Sequence, residues 1–369
     1  MSIRQFSTAA LALGLLAVGC SDASGEREAT TQAPAPPSAV ASDTPEPAPV
    51  PAAARSETRR FRDWIVTCDN GNDCVAFSQA GEGGQGWVRI AMPAGPDARP
   101  DLSGGLLSDG GTPTPGLMMT VDGTRYALSG PGRAALPRDS RVALKAMATG
   151  ATASLATRSQ SQTLSLSGVS AALLWIDERQ GRLDTPTALM RRGDAPTSRV
   201  PAAPSLPQVR PGPAVDQAGF GGASPTLPTT IEALPQVQAC RADTDFSPEF
   251  QRAVQSARLS ATTELWGVPC FSGAYNVGYR YVISGPGGQS PRVIALATTA
   301  EPADTPINPE YDPASRTLTA FAKGRGIGDC GFTNTWTWTG REFVLTSETR
   351  MEDCWGVPAD LWPTTWRSR

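Results

Sequence analysis

The sequence predicts a mainly β, α+β fold: two antiparallel β domains carrying a few short helices and stapled by disulfides. Three observations lead there. Short runs of alternating apolar and polar residues recur with turn residues between them. Six cysteines remain once an amino-terminal export signal is set aside. A Pro-rich stretch at 200–230 separates two such regions, and 369 residues are enough for two ordinary domains plus linkers.

The chain opens with a short apolar run behind Arg4, ending "LAVGC" at Cys20. It is too short for a membrane span and reads as a secretory signal. The ending resembles a bacterial lipoprotein lipobox, so residues 1–20 are expected to end at a cysteine that carries lipid. Membrane attachment through that lipid, at the outer membrane facing the periplasm, is the expected localisation, with Ser21 rather than Asp following the cysteine. Residues 21–57 are rich in Ala, Pro, Ser, Thr and Glu. Such a composition buries no core and reads as a tether.

The first domain is placed at 58–199. Alternation from Phe61 to Cys68 predicts a strand, and "DNGND" a turn closed by Cys68 and Cys74. That acidic turn lacks the further ligands and distal Glu of a calcium loop. Strands follow at "GWVRIAM" and "LMMTVDGTRYAL", the latter turning at Asp122-Gly123. "RDSRVALKAMATG" predicts a helix with Asp139 as N-cap and Val142 and Ala146 on one face. A second helix, starting near Ser167, places Val169, Leu173 and Ile176 on one face and stops at Gly181.

The second domain is placed at 231–369. Ser247, Pro248 and Glu249 signal a helix start in "SPEFQRAVQSARL". Five strand-like runs follow: "VGYRYVIS", "RVIALAT", "RTLTAFAK", "TNTWTWTG" and "REFVLTSE". Their close spacing predicts an antiparallel meander.

Six cysteines (Cys68, Cys74, Cys240, Cys270, Cys330 and Cys354) permit fifteen pairings. Sequence proximity favours 68–74, 240–270 and 330–354. A zinc site is disfavoured, because the cysteines show no paired C-x-x-C spacing and the chain has no histidine. Without histidine there is no Ser-His-Asp or Cys-His triad, and no histidine general base. Neither G-x-S-x-G nor S-x-x-K occurs. A carboxylate pair is what remains for an enzyme, so a non-enzymatic role is expected, with no cofactor and no metal. A net charge of −3 and the absence of basic blocks argue against nucleic acid as a partner.

Three features carry candidate binding residues. In "KGRGIGDCGFTNTWTWTG" the glycines, with Lys323 and Arg325, have the composition of an anion nest. The strand-like residues that follow favour a glycine-permitted hairpin connection beside a disulfide. Five of the nine tryptophans fall in the last 34 residues. Trp336 and Trp338 read as core, whereas Trp362 and Trp366 are the better candidates for an exposed sugar-stacking surface. "SGAYNVGYRY" resembles the S-G-x-x-Y motif of periplasmic lysozyme inhibitors, with its tyrosine, Tyr275, one residue early.

Taken together, "FRDWIVTCDN", "ALLWIDERQGR", "LWGVPCFSGAYN", "AFAKGRGIGDCG", "WTWTGREFVLT" and "CWGVPADLWPTTWR" resemble the domain-of-unknown-function family 1176, exported bacterial proteins with no established activity. The start "DW…V…C" and "GVSAALLWID" also resemble, over the first domain, the invasion-associated locus B family. Neither resemblance supplies catalytic residues. The expected function is a lipid-anchored envelope binding or structural module, with cell-wall glycan (peptidoglycan) or an envelope protein as partner. The alternatives are a lysozyme-inhibitor-like protein and a carboxylate-dependent glycan or peptide hydrolase.

Overall fold

In the computed structural model, residues 56–83, 85–107, 116–128, 137–222, 225–242 and 247–369 are described, with backbone only for 137–139. Cys20, residues 21–55 of the tether and the Asp139 side chain lie outside the described residues. No helix among the described residues is long and apolar enough to cross a membrane.

The first sheet has nine described strands: β1 (Glu57–Phe61), β2 (Trp64–Cys68), β3 (Cys74–Ala80), β4 (Gly86–Met92), β5 (Asp101–Leu106), β6 (Met118–Val121), β7 (Thr124–Ala127), β8 (Ala153–Ala156) and β9 (Ser161–Leu164). They run β1-β2-β3-β9-β8-β6-β7, with β4 and β5 continuing from β3. The strand expected from Phe61 onward begins instead at Trp64, because Arg62 sits at φ 53° and turns β1 into β2. Asp122 and Gly123, both at positive φ, make the expected hairpin turn between β6 and β7.

Two helices cover this sheet, α1 (Pro137–Thr149) and α2 (Val169–Arg179). The buried face of α1 is Ser140, Ala143, Leu144 and Met147, the i, i+3, i+4, i+7 set. Val142 is 60 % exposed, so the expected Val142–Ala146 face is corrected by about one residue's rotation. In α2, Val169, Leu173 and Ile176 are buried as the periodicity predicts, and Gly181 follows at φ 67°.

Beyond the Pro-rich stretch come α3 (Thr229–Glu232), α4 (Pro235–Ala242) and α5 (Pro248–Gln251). The helix expected from Ser247 is a single turn. Ser247 caps it by accepting from the Phe250 N–H, but the following residues leave the helix to form β10 (Gln255–Ser260). That strand pairs with β11 (Thr263–Ser272), β11 with β12 (Val277–Gly285), and β12 with β13 (Gln289–Val293). Ladder bonds and burial of Ala257 and Leu259 outweigh the local helix signal.

The third sheet runs β14 (Glu310–Asp312), β15 (Thr317–Lys323), β16 (Gly331–Trp338), β17 (Phe343–Met351) and β18 (Thr364–Arg367), each antiparallel to the next. It stacks on the second sheet around one core: Tyr279, Tyr281 and Ile283 from β12 meet Leu318, Trp336, Trp338 and Leu345. The other face of the second sheet is closed by Ile231 and Val237 of α3 and α4. Disulfides join Cys68–Cys74, Cys240–Cys270 and Cys330–Cys354.

The "DNGND" turn holds the carboxyl-proximal strand. Arg367 of β18 pairs with Asp69 at 2.6 Å and Asp73 at 2.8 Å. Asn70 donates to the Arg367 carbonyl and accepts its N–H. Asp69 also accepts from the Gly71 and Asp73 N–H groups. Burial pushes the Asp69 carboxyl up from its ordinary value, and the Arg367 charge opposes that. Beside this clamp, Phe77 and Trp87 of the first sheet pack with Met351, Trp355, Val357 and Trp362.

The clamp has a measurable worth. Arg367→Ala leaves Asp69 buried beside Asp73 without its cation and is expected to cost about 2–3 kcal/mol, less than a fully buried pair because Arg367 is one-third exposed. Arg367→Lys, which keeps the charge and loses the fork, should fall between. Urea denaturation checks this; an unchanged midpoint in Arg367→Ala shows that the clamp contributes nothing.

Candidate functional site

Alternation along β15 sends Leu318, Ala320 and Ala322 inward and leaves Thr319, Phe321 and Lys323 on the outer face. On β16 the register sets Thr335 opposite Thr319 and Thr333 opposite Phe321. These side chains line a groove of about 510 Å³, completed by Tyr275, Asn308 and Glu310. Lys323 is the single cation of its lining and Glu310 the single carboxylate. The Lys323 ammonium stands 5.7 Å from the centroid of the Phe321 ring.

Two asparagines fix one wall. Asn276 donates to the Lys323 carbonyl at 2.8 Å and accepts its N–H at 3.0 Å. Asn308 donates to the Phe321 carbonyl and accepts from the Val277 N–H. The β11–β12 hairpin is thereby tied to β15, and the Tyr275 hydroxyl donates to the Gly324 carbonyl at 3.3 Å. Tyr275 and Lys323, far apart in sequence, thus share one groove.

The glycine loop past Lys323 is built for turning. Gly324 donates to the Cys330 carbonyl and Gly328 to the Arg325 carbonyl, so both N–H groups are spent within the loop. At Gly331, φ is 133° and a Cβ would lie 1.9 Å from the Ala322 carbonyl oxygen, so only glycine fits. Arg325 forks onto Asp329 at 2.7 and 2.5 Å and donates to the Cys354 carbonyl. Burial alone would raise the Asp329 carboxyl. The Arg325 fork and the Gly356 N–H outweigh it and hold the carboxyl below its ordinary value. Arg325 is therefore a bracket for the Cys330–Cys354 bond, and the anion-nest composition builds a closed turn. Asp329, Cys330 and Cys354 lie close together, but the sulfurs are bonded to each other and the carboxylate to Arg325.

The tryptophans are core. Trp336 and Trp338 are buried, as their alternation implies. Trp362 and Trp366 are buried too, 4 % and 6 % exposed, which corrects their expected role as a stacking surface. Each indole N–H has found a carbonyl, Val357 for Trp362 and Leu345 for Trp366. The Trp362 ring meets Phe321 edge-on at 5.6 Å. With both polar handles satisfied inside, nothing keeps these rings at the surface. Phe271, Tyr275 and Ile327 are instead large hydrophobics that stand exposed among the described residues.

Sequence reasoning missed Phe321, Glu310 and the threonine rows. The alternation T-F-K was readable on β15, but its pairing with β16 and the arrival of Glu310 from β14 were not. A second groove, about 950 Å³, lies along the first sheet and brings Asp63 and Glu82 among serine, threonine and glutamine side chains, with no aromatic or basic residue in its lining.

Comparison with known proteins gives a family and no activity. The uncharacterized protein YpfG of Escherichia coli (strain K12) is 30% identical over 341 residues, covering 84% of this chain and 93% of YpfG. No solved structure matches. The family described as "Protein of unknown function (DUF1176)" matches residues 58–369, from the first strand through the clamp at Arg367, and the chain belongs to that family.

Proposed function

We propose that this protein is a lipid-anchored envelope protein that binds peptidoglycan in the Tyr275–Lys323 groove and acts by binding rather than catalysis. The observation that carries this reading is the groove's chemistry. It has a hydroxyl-lined floor, two aromatic rings, and one ammonium and one carboxylate in its wall. Hydroxyl rows and aromatic faces suit a glycan strand, and the opposite charges suit the zwitterionic peptide stems of a cell wall. The single carboxylate leaves a two-carboxylate glycosidase device without its second member in this groove.

Lys323→Ala and Tyr275→Ala are each expected to reduce retention on purified peptidoglycan about 5- to 10-fold. Trp362→Phe, a buried change, should leave retention of the folded protein unaltered. Wild-type protein washing through the peptidoglycan would remove the reading.

Lipid attachment at Cys20 has its own check. Cys20→Ser is expected to move the protein from the detergent phase to the aqueous phase on partitioning, because it removes the cysteine that would carry the acyl chains. Equal partitioning of the two forms would mean that Cys20 carries no lipid.

A second reading, a lysozyme inhibitor, draws on one observation: Tyr275, with Phe271 and Ile327, presents exposed apolar side chains at the hairpin tip. In that case a molar excess of protein abolishes lysozyme turnover and Tyr275→Ala relieves the block. Undiminished turnover in the presence of wild-type protein ends it.

A further inference from the structure

A second cavity, which shares Glu310 with the groove, lies between the Pro-rich stretch and the second sheet. Its volume is about 370 Å³, within the size range of small-ligand pockets. The walls come from three parts of the chain: Gln217 and Phe220 of the stretch, Gln255 and Tyr281 of β10 and β12, and Glu310 and Tyr311 of β14. The stretch is fastened as a wall. Gln217 donates to the Arg258 carbonyl at 2.8 Å and accepts its N–H at 2.9 Å. Phe220 packs against Trp266. Gly267 is closely packed in this wall, since a Cβ there would approach Tyr281 to 3.0 Å and Gln255 to 3.1 Å.

The lining has a definite sign. Glu310 is the only charged residue of its lining; it is exposed at the cavity's edge, and among the described residues its carboxylate has no hydrogen-bond or ion-pair partner. Its charge reaches the interior, where it adds to burial and to Tyr279 in raising the Tyr281 phenol. Three aromatic side chains share the cavity. The Arg258 guanidinium stands 4.8 Å from the Phe220 centroid, so Phe220 offers a ligand cation only the ring surface that Arg258 leaves uncovered. The Tyr311 hydroxyl is buried with no hydrogen-bond partner among the described residues. Burial lifts that phenol to about 12, so it stays a neutral donor and acceptor.

This chemistry selects among ligand classes. No basic side chain lines the cavity, which disfavours an anion. A single carboxylate among aromatics falls short of the oxygen cage of a hard metal cation. Aromatic walls with one unneutralised carboxylate are what an alkylammonium group requires. We propose that this cavity binds a small organic cation, a primary or quaternary ammonium, held among Phe220, Tyr281 and Tyr311 and neutralised by Glu310.

The cavity and the groove share Glu310, so Glu310→Gln is expected to touch both ligands, whereas Phe220→Ala and Lys323→Ala separate them. Calorimetric titration of the folded Cys20→Ser protein uses three probes: choline, n-butylammonium, and 3,3-dimethylbutanol as the neutral isostere of choline. At least one cation is expected to bind saturably below about 10 mM and about 10-fold tighter than the isostere. Glu310→Gln should erase that preference, and Phe220→Ala should weaken cation binding about 5-fold. Lys323→Ala, which disables the groove, should leave cation binding unchanged. The proposal is overturned if neither cation binds, if the isostere binds equally well, or if Glu310→Gln binds the cation as wild type does. Tyr311→Phe, a one-atom change that keeps the ring, serves as a second variant should Phe220→Ala misfold; undiminished cation binding in it removes the hydroxyl from the site.

Discussion

The grip of a short disulfide loop, its cysteines six positions apart, on a single arginine organises this molecule. Arg367 is held by Asp69 and Asp73 and, through its backbone, by Asn70. Because β18 is the last strand of the third sheet, fixing it to the first sheet fixes the sheet as well. The aromatic contact of Phe77 and Trp87 with Trp355 and Trp362 then forms beside the clamp without further adjustment. The Pro-rich stretch reinforces the arrangement, since Pro207 and Val209 exchange backbone bonds with Arg369 and Gly212 bonds to Trp338. The position of the candidate groove on β15 is inherited from this chain of attachments.

Buried carboxylates do similar work elsewhere, in a chain without histidine. Asp177 accepts from the Leu189 and Met190 N–H groups, so a loop is wound around an anion at the end of α2. Glu264 collects the Gly287 and Gly288 N–H groups. Glu348 receives Asn334, Thr299 and Thr365. Each replaces water with several fixed donors, which is what lets an acid be buried without a paired cation. Glu310 differs from all of these: it is an exposed acid on a cavity wall, and among the described residues its carboxylate has no donor.

What the sequence disclosed follows from how local each feature is. Period-two alternation found β12, β15 and β16, and the Asp122-Gly123 turn found its hairpin, because each depends on neighbours along the chain. Disulfide pairing was legible from proximity for the same reason. The stretch after Ser247 shows the opposite: its capping signal is real, yet β11 lies ready to pair with Gln255–Ser260 and takes it as a strand. The helices α3 and α4 are too short to show a period. Trp362 and Trp366 were misjudged because burial of an indole depends on which carbonyl it meets, and Val357 and Leu345 are set by tertiary folding. Lys323 and Tyr275 could each be picked out, but their meeting depends on Asn276 and Asn308, which look like ordinary turn residues.

The clamp also orders events during synthesis. Asn70 and its partner Arg367 stand 297 residues apart, an interval of roughly 15–60 s at ribosomal rates of about 5–20 residues per second. Through that time the acidic turn waits without its guanidinium, while its own cysteines, only six residues apart, can join locally once the chain reaches an oxidising compartment. The receiving half of the latch therefore needs only a local bond to become rigid, whereas the entering half comes from the far end of the chain. The long loop between them is closed onto a ready-made socket, which spares the late search the ordering of both partners.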